Sequence, residues 1–328
     1  MRLSLNTAPT IVLLAAPMLV ALAEMGFVAA LVLVLAVLLW RWILVVRALA
    51  HRPAGPEMRL ESISASHFVE KVRWCLDRLG IDYQEVPDVG ALGVFLTGRT
   101  VPRLVVRTGS VSSSIGNSAD ILRYLWGRYG QSAAGQADFL RPTPEAVALE
   151  GRLDRYGVDL QRWIYYHILP HRQVTLSAWG ADDPRLPVWQ RTVAKISYPV
   201  LRLLMRRAFR LSDAVHERVV ERIESLLGEL EGMLGDGRRF ILGGDSPSFA
   251  DFAFAALSGL WIQPQAYAAG QADPLRLKDA LDIPALAAEV QRWRSLFPRV
   301  TEHVERLYRE ERSARPATGP GSSMPEPT

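Results

Sequence analysis

The chain has 328 residues, 49% hydrophobic and 22% charged, with a formal net charge of +4. That length fills a two-part globular unit with residues to spare. The basic excess is too small and too scattered for a nucleic-acid partner, and the single cysteine, Cys75, excludes a disulfide framework and points to a reducing compartment.

The surplus apolarity lies at the front. From Pro9 to Val46 only Glu24 and Arg41 carry charge. Such a run is too long for a secretory signal core and lacks a small-residue cleavage site, so residues 1–50 are read as a retained membrane anchor. Phe27 to Val46 can span about 30 Å of hydrocarbon alone. Ile11 to Ala23 is shorter and carries Pro17, which leaves one or two transmembrane helices open. Trp40 and Trp42 suit the interface. Arg41 lies near the end of the second stretch and Arg47, Arg52 and Arg59 follow it, so the positive-inside rule puts the rest on the cytoplasmic face of a bacterial-type inner (cell) membrane. Residues 51–57 hold two prolines and a glycine and are a linker.

Beyond it, Leu60 to Ile63 reads as a strand. Phe68, Val69, Val72, Leu76 and Leu79 then draw one apolar stripe on a helix that Gly80 closes as a left-handed cap. Ser66 stands where strand gives way to helix, either as a plain N-cap or as a hydroxyl beside free N–H groups that can hold an anion. Asp82 to Val86 is a second strand, and a loose segment follows through Thr100. Arg103 to Val106 and Val111 to Ile115 form a hairpin, and Ala119 to Tyr129 is a helix ended by Gly130. Strand, helix, strand, hairpin and helix make an α/β sheet of about four strands. Gln131 to Pro144 marks a boundary. The remainder has helical period over Pro144 to Leu169, Pro187 to Arg210, Asp213 to Leu234, Phe249 to Ile262 and Pro284 to Glu311, which is an all-α domain. Arg312 to Thr328 is rich in Pro, Gly and Ser and is expected to be disordered.

Within the first long helix, Tyr156, Trp163, Tyr165, Tyr166 and His167 form an aromatic cluster. It reads as the wall of an apolar pocket or as interhelical core, and both readings stand. His167 and His171 are four apart, but Pro170 interrupts and no third ligand completes a set, so no metal is expected. Arg202, Arg206, Arg207 and Arg210 crowd a helix that also carries Leu201, Leu203, Leu204 and Phe209. A solvated arginine face is the first reading of it, with apposition to a membrane as the second.

Three stretches together carry a resemblance. Ser66-His67-Phe68-Val69-Glu70-Lys71-Val72-Arg73, then Val101-Pro102, then Asn117-Ser118-Ala119-Asp120-Ile121-Leu122-Arg123-Tyr124-Leu125 resemble the amino-terminal domain of cytosolic-type glutathione transferases. Gly244-Asp245-Ser246-Pro247-Ser248-Phe249-Ala250-Asp251 resembles the stretch before a core helix of that family's helical domain, with a serine cap and an acid three residues on. The likeness covers roughly Arg59 to Arg309 and leaves the anchor outside.

The resemblance implies roles residue by residue. Val101-Pro102 reads, on the residues alone, as a trans proline at a strand entrance; the family implies a cis bond, with Val101 offering its backbone to the cysteinyl part of glutathione. Ser118, otherwise an N-cap, would hold the γ-glutamyl carboxylate at a helix start. The preceding position is usually acidic in the family and here is Asn117, a departure that removes a charge. Ser66 would donate to the glutathione sulfur. It stands where thiol-exchanging relatives have cysteine, and Val69 occupies the partner position, so dithiol reductase chemistry is not expected. His67 stands where proline is common; an exposed helix-start histidine is the first reading of it, with a place near the thiol as the second. With Phe68, Tyr156, Trp163 and Tyr166 it makes the candidate substrate pocket. Cys75 is expected to be packed rather than reactive.

The expected fold is an α/β thioredoxin-like domain followed by an all-α helical domain, preceded by one or two transmembrane helices. Its segments are an anchor (1–50), a linker (51–57), the glutathione-binding domain (58–130), a linker (131–143), the helical domain (144–311) and a tail (312–328). The implied function is a membrane-tethered glutathione transferase, with glutathione as co-substrate, a small apolar electrophile as acceptor, a homodimer as an open option, and neither metal nor nucleic acid. The alternatives are a non-catalytic membrane protein of the same shape that binds a partner, and a glutathione-dependent peroxidase or isomerase.

Overall fold

The computed structural model describes residues 26, 28, 31–40, 42, 43, 46, 57–63, 65–87, 101–108, 111–131, 135–267 and 282–312. The chain separates into two units, 1–57 with 107–112, and 58–106 with 113–328. In the first, the described residues from 26 to 46 are helical, and the apolar Val28, Leu35, Leu39 and Trp42 are more than half exposed. Among the described residues no helix is long and apolar enough to cross a membrane. Most of the expected anchor lies outside the described residues.

From Glu57 onward the chain forms β1 (Glu57–Ser62), α1 (His67–Arg78) and β2 (Gln84–Pro87), followed by β3 (Arg103–Thr108), β4 (Val111–Gly116) and α2 (Ser118–Tyr129). The sheet order is β2-β1-β3-β4. β1 and β2 run parallel, with Leu60 opposite Glu85, as a crossover through α1 requires. Only two residues separate β3 from β4, so these strands form an antiparallel hairpin. Arg103, at the start of β3, pairs at 2.7 Å with Glu61 near the end of β1. The end of β1, the start of β3 and the end of β4 therefore lie along one edge of the sheet.

After a short 3₁₀ turn (Asp138–Leu140) come α3 (Pro144–Ile168), α4 (Arg172–Ala178), α5 (Val188–Ala208), α6 (Asp213–Leu234), α7 (Phe249–Ile262), α8 (Pro284–Leu296) and α9 (Pro298–Glu310). Every residue of α7 is buried, which makes it the axis of the core; α1, α3 and α9 pack on it. Its start is fixed by Asp251, whose Oδ2 accepts from the Ser248 N–H and hydroxyl at 2.9 Å while Oδ1 accepts from Ile241 N at 2.8 Å. This is the capping box expected from the sequence.

Four expectations change. The helix expected over Pro284 to Glu311 is two helices, because Pro298 forces Phe297 out of helical geometry (φ −126, ψ 60). Helix α4 was not anticipated. The boundary segment contributes Ala137, Phe139 and Leu140 to the core. Arg312, assigned to the tail, is buried against Glu70 (2.9 Å) and Asp77 (2.8 Å) of α1; residues 313–328 lie outside the described residues.

Helix α1 also departs from its one-stripe pattern: nine of its twelve residues are buried, among them Glu70, Lys71 and Arg73. Lys71 reaches Glu150 (2.8 Å) and Asp154 (3.2 Å) of α3. Arg73 makes a two-pronged contact with Glu85 of β2. Each buried charge on the helix is thus met by an opposite one from a different element, which is the condition for tolerating it. Removing one partner strands the other. Lys71→Ala is expected to cost about 3 kcal/mol in urea unfolding, and the double change Lys71→Met, Glu150→Leu much less. Equal losses for the two variants would contradict this reading.

Candidate active site

Ser66 ends the turn after β1 and caps α1 in extended geometry (φ −73, ψ 123), its Oγ accepting from Val69 N at 3.4 Å. That contact is long and uses only acceptor capacity, so the hydroxyl proton is free to be donated. Ser66, Val101 and Phe68 line one cavity of about 280 Å³. The Val101–Pro102 bond is cis, as the resemblance implied.

Asn117 caps α2 with positive φ (67, ψ 130), and its Oδ1 accepts from Ala119 N at 3.3 Å. Positive φ in a non-glycine residue costs energy and marks a place where the surroundings hold the backbone against its preference. The next residue, Ser118, is 2% exposed, and its Oγ has no hydrogen-bond partner. A buried hydroxyl left unpaired at a helix start is suited to an anion, since the first N–H groups of the helix point the same way. Asn117 and Ser118 follow β4, so they share the sheet edge with Ser66 and Val101.

His67 is not the exposed residue expected. It is 4% exposed, and its Nε2–H donates to the Gly157 carbonyl of α3 at 2.9 Å. Burial pushes its pKa down to about 4, and the Gly157 bond reverses only part of that. The ring is therefore neutral at physiological pH, and it ties the start of α1 to α3. The approach is close: a Cβ at Gly157 would come within 3.0 Å of the Phe68 ring and of Leu257.

Only part of the expected aromatic wall faces the cavity. His67 and Phe68 line it, but Tyr156, Trp163 and Tyr166 do not. Tyr156 is core, its hydroxyl paired with Ser258 Oγ (2.9 Å) and accepting from Trp261 Nε1 (3.0 Å). Trp163 donates to Glu289 at 2.6 Å, and Tyr166 donates to Asp213 at 3.0 Å and stacks on His216. Of the expected aromatic cluster Tyr165 does line the cavity, and Gln161, Ile164 and Ile168, with Ala178, Met205 and Phe209, complete the wall. Helical phase explains the difference. Positions 161, 164, 165 and 168 share the face of Gly157, whereas 156, 163 and 166 turn away from it. The contact at Gly157 was the missing signal.

His167 does not pair with His171. Among the described residues its ring lies with His216 and Glu289, their ligand atoms within 4.8 Å of one another. Both imidazoles bond the carboxylate, at 3.3 and 2.9 Å. Burial pushes the Glu289 carboxyl up, but bonds from His167, His216 and Trp163 outweigh it and hold the carboxyl well below its usual range. The cluster locks α3, α6 and α8 together. Cys75 is fully buried, and burial pushes its thiol up to about 12, so it is packed and unreactive.

Two family models match the chain: "Glutathione S-transferase, N-terminal domain" over residues 60–133 and "Glutathione S-transferase, C-terminal domain" over residues 213–306. Three solved structures are similar in outline. One is a glutathione S-transferase from Methylobacterium radiotolerans in complex with glutathione sulfonate (20% identity, 82% of this chain and 100% of that one, TM-score 0.45). Another is a maleylacetoacetate isomerase from Anaeromyxobacter dehalogenans with bound GSH (18%, 77% and 90%, 0.40). The third is a glutathione S-transferase from Methylobacillus flagellatus with GSH bound (16%, 77% and 96%, 0.44). No curated protein matches.

The neutral His67 makes stability depend on pH. Unfolded, the ring takes up a proton near pH 6.5; folded, only near pH 4. Its contribution is complete above pH 6.5 and is lost progressively as pH falls from there toward 4. The denaturation midpoint is expected to fall between neutral pH and about pH 5, and His67→Gln, which keeps a donor for Gly157, should flatten that fall. An unchanged slope in the variant would contradict the assignment.

Proposed function

The chain belongs to the glutathione S-transferase family, a glutathione transferase-like enzyme, and from that premise we propose that it activates glutathione for attack on an apolar electrophile while tethered to a membrane. The observation that supports this most is the shared sheet edge. It sets a free hydroxyl proton at Ser66 on the rim of an apolar cavity, and a buried, unpartnered hydroxyl at Ser118 beyond the cis corner.

Glutathione, when bound, supplies the thiol; the chain supplies the means to hold it as an anion. An ordinary thiol has a pKa near 8.5 and is mostly protonated at neutral pH. Ser66 Oγ–H donating to negative sulfur contributes about 1.5–3 kcal/mol, as bonds to charged groups do, and the start of α1 adds a smaller term of the same sign. At about 1.4 kcal/mol per unit, that lowers the thiol pKa by about one to two units. Val101 holds the cysteinyl backbone, and Ser118 holds the γ-glutamyl carboxylate. Asn117 brings no charge to the γ-glutamyl amine. The cavity behind Ser66, walled by Ile164, Tyr165, Ile168, Met205 and Phe209, takes the acceptor and excludes water from it.

The tether is read from the apolar run Pro9 to Val46. Exposed apolar side chains among the described helical residues of that run support it, and the arginines after it put the enzyme on the cytoplasmic side.

Titrating the thiol of bound glutathione by its ultraviolet thiolate absorbance tests the reading. Wild-type protein is expected to lower the thiol pKa by about one to two units. Ser66→Ala should return it most of the way while glutathione stays bound. Ser118→Ala should weaken binding about tenfold, the value of one such hydrogen bond. A bound thiol titrating at its ordinary value would overturn the role given to Ser66.

A further inference from the structure

Helix α5 lies between the segments that the two family models match. One side of it, Ala194, Tyr198, Leu201 and Met205, packs into a small core with Leu176 and Trp179. The other side is a second apolar stripe. Trp189, Val193, Ile196, Val200 and Leu203 follow spacings of four and three, which is one helix face. They are 60, 39, 75, 60 and 49% exposed. A row of this kind is longer than the scattered apolar residues of ordinary surfaces and marks an interaction site.

Charge identifies what covers it. The helix contains Arg191, Lys195, Arg202, Arg206 and Arg207 and no acidic residue. By helical phase, Arg191, Lys195, Arg202 and Arg206 form a row between the packed side and the apolar stripe, Lys195 and Arg206 nearest the stripe, and Arg207 lies at the end of the stripe itself. Among the described residues no carboxylate pairs with Arg202, Arg206 or Arg207, and Lys195 alone of the five meets one, Asp182 at 3.3 Å. Arg202 and Arg206 also line, with His171, Ser212 and Asp213, a cavity of about 320 Å³ beside the helix. A second copy of this chain would bring another helix with five cations and no carboxylate to neutralise them. An apolar stripe with an exposed tryptophan and an unneutralised cationic flank is instead the pattern of a helix lying in the plane of an anionic bilayer.

We propose that the outward face of α5 docks on an anionic phospholipid surface, with Trp189, Ile196 and Val200 in the acyl boundary and Arg202 and Arg206 on lipid phosphates. This contact is separate from the amino-terminal anchor. It also gives the cavity an orientation. Met205 and Phe209 wall the acceptor cavity from the same helix and its end, so docking brings that wall within a helix diameter, about 10 Å, of the lipid. That consequence for substrate entry rests on the transferase reading; the docking itself does not.

The experiment uses the full chain. Cys75 is fully buried, so a nitroxide attaches selectively to single cysteines introduced as Ile196→Cys, Val200→Cys or, as a control on the exposed side of α9, Glu302→Cys. Collision with oxygen, which concentrates in lipid, is compared with collision with a water-soluble nickel chelate. On phosphatidylglycerol vesicles the labels at 196 and 200 are expected to become shielded from nickel and open to oxygen. The control should not change. Adding Arg202→Glu and Arg206→Glu should reduce the shielding tenfold or more, at roughly fivefold per charge removed from an anionic surface. Labels at 196 and 200 that stay open to nickel on those vesicles overturn the proposal. So does shielding already present in detergent at doubled molecular mass, which assigns the face to a second copy. Flotation of the same samples after a carbonate wash reports the amino-terminal anchor independently, so loss of docking with flotation intact leaves the tether standing.

Discussion

The arrangement depends on the burial of α1 with its charges neutralised. A helix that carries Glu70, Lys71 and Arg73 inside a protein is tolerable only if every charge finds a partner, and the partners come from α3, β2 and Arg312, two residues after α9. These pairs tie the thioredoxin-like sheet to the helical bundle through one short element. The same element begins at Ser66. A residue at the start of such a helix has little freedom to move, which is what a hydrogen bond to a developing charge requires. His67 adds to the constraint by bonding α3 immediately beside Ser66.

From that fixed point the two halves of the site divide their tasks. The sheet edge supplies polar groups with uncommitted capacity, the Ser66 proton and the Ser118 hydroxyl, where the backbone is bent at Asn117 and at the cis corner. The helices supply an apolar wall and almost no charge. On the proposed reading, thiolate stabilisation and acceptor binding are thereby separated in space yet meet at Ser66. His167 and His216 of the helical domain lie elsewhere and are used up in packing, where the Glu289 carboxylate joins three helices.

Much of this was legible in the sequence for physical reasons. The serine cap at Ser66, the glycine stop at Gly80 (φ 66) and the acid three residues after Ser248 are local rules and stand in the structure where the residues put them, whereas the cap of α2 is Asn117 and not the expected Ser118. The polar face of α1 was not legible, because periodicity counts apolar positions and does not register a charge buried against a partner some 80 or 240 residues away. The aromatic wall was misplaced for a related reason. Choosing Gln161, Ile164 and Ile168 over Tyr156, Trp163 and Tyr166 needs the helix's rotation, and that is set by the Gly157 contact with Phe68 and His67. Arg312 was hidden within a tail whose composition otherwise signals no core. The outward stripe of α5 could be seen in the sequence only as apolar residues among arginines; exposure on one side and a packed core on the other distinguish it from a buried helix.

The central claim is that three turns along one sheet edge form a single glutathione site, with sulfur at Ser66. A crystal structure of the full chain soaked with glutathione tests it most directly. The sulfur is predicted within hydrogen-bond reach of Ser66 Oγ and the γ-glutamyl carboxylate on Ser118 Oγ. Glutathione bound away from that edge, or with its sulfur turned from Ser66, would contradict the claim.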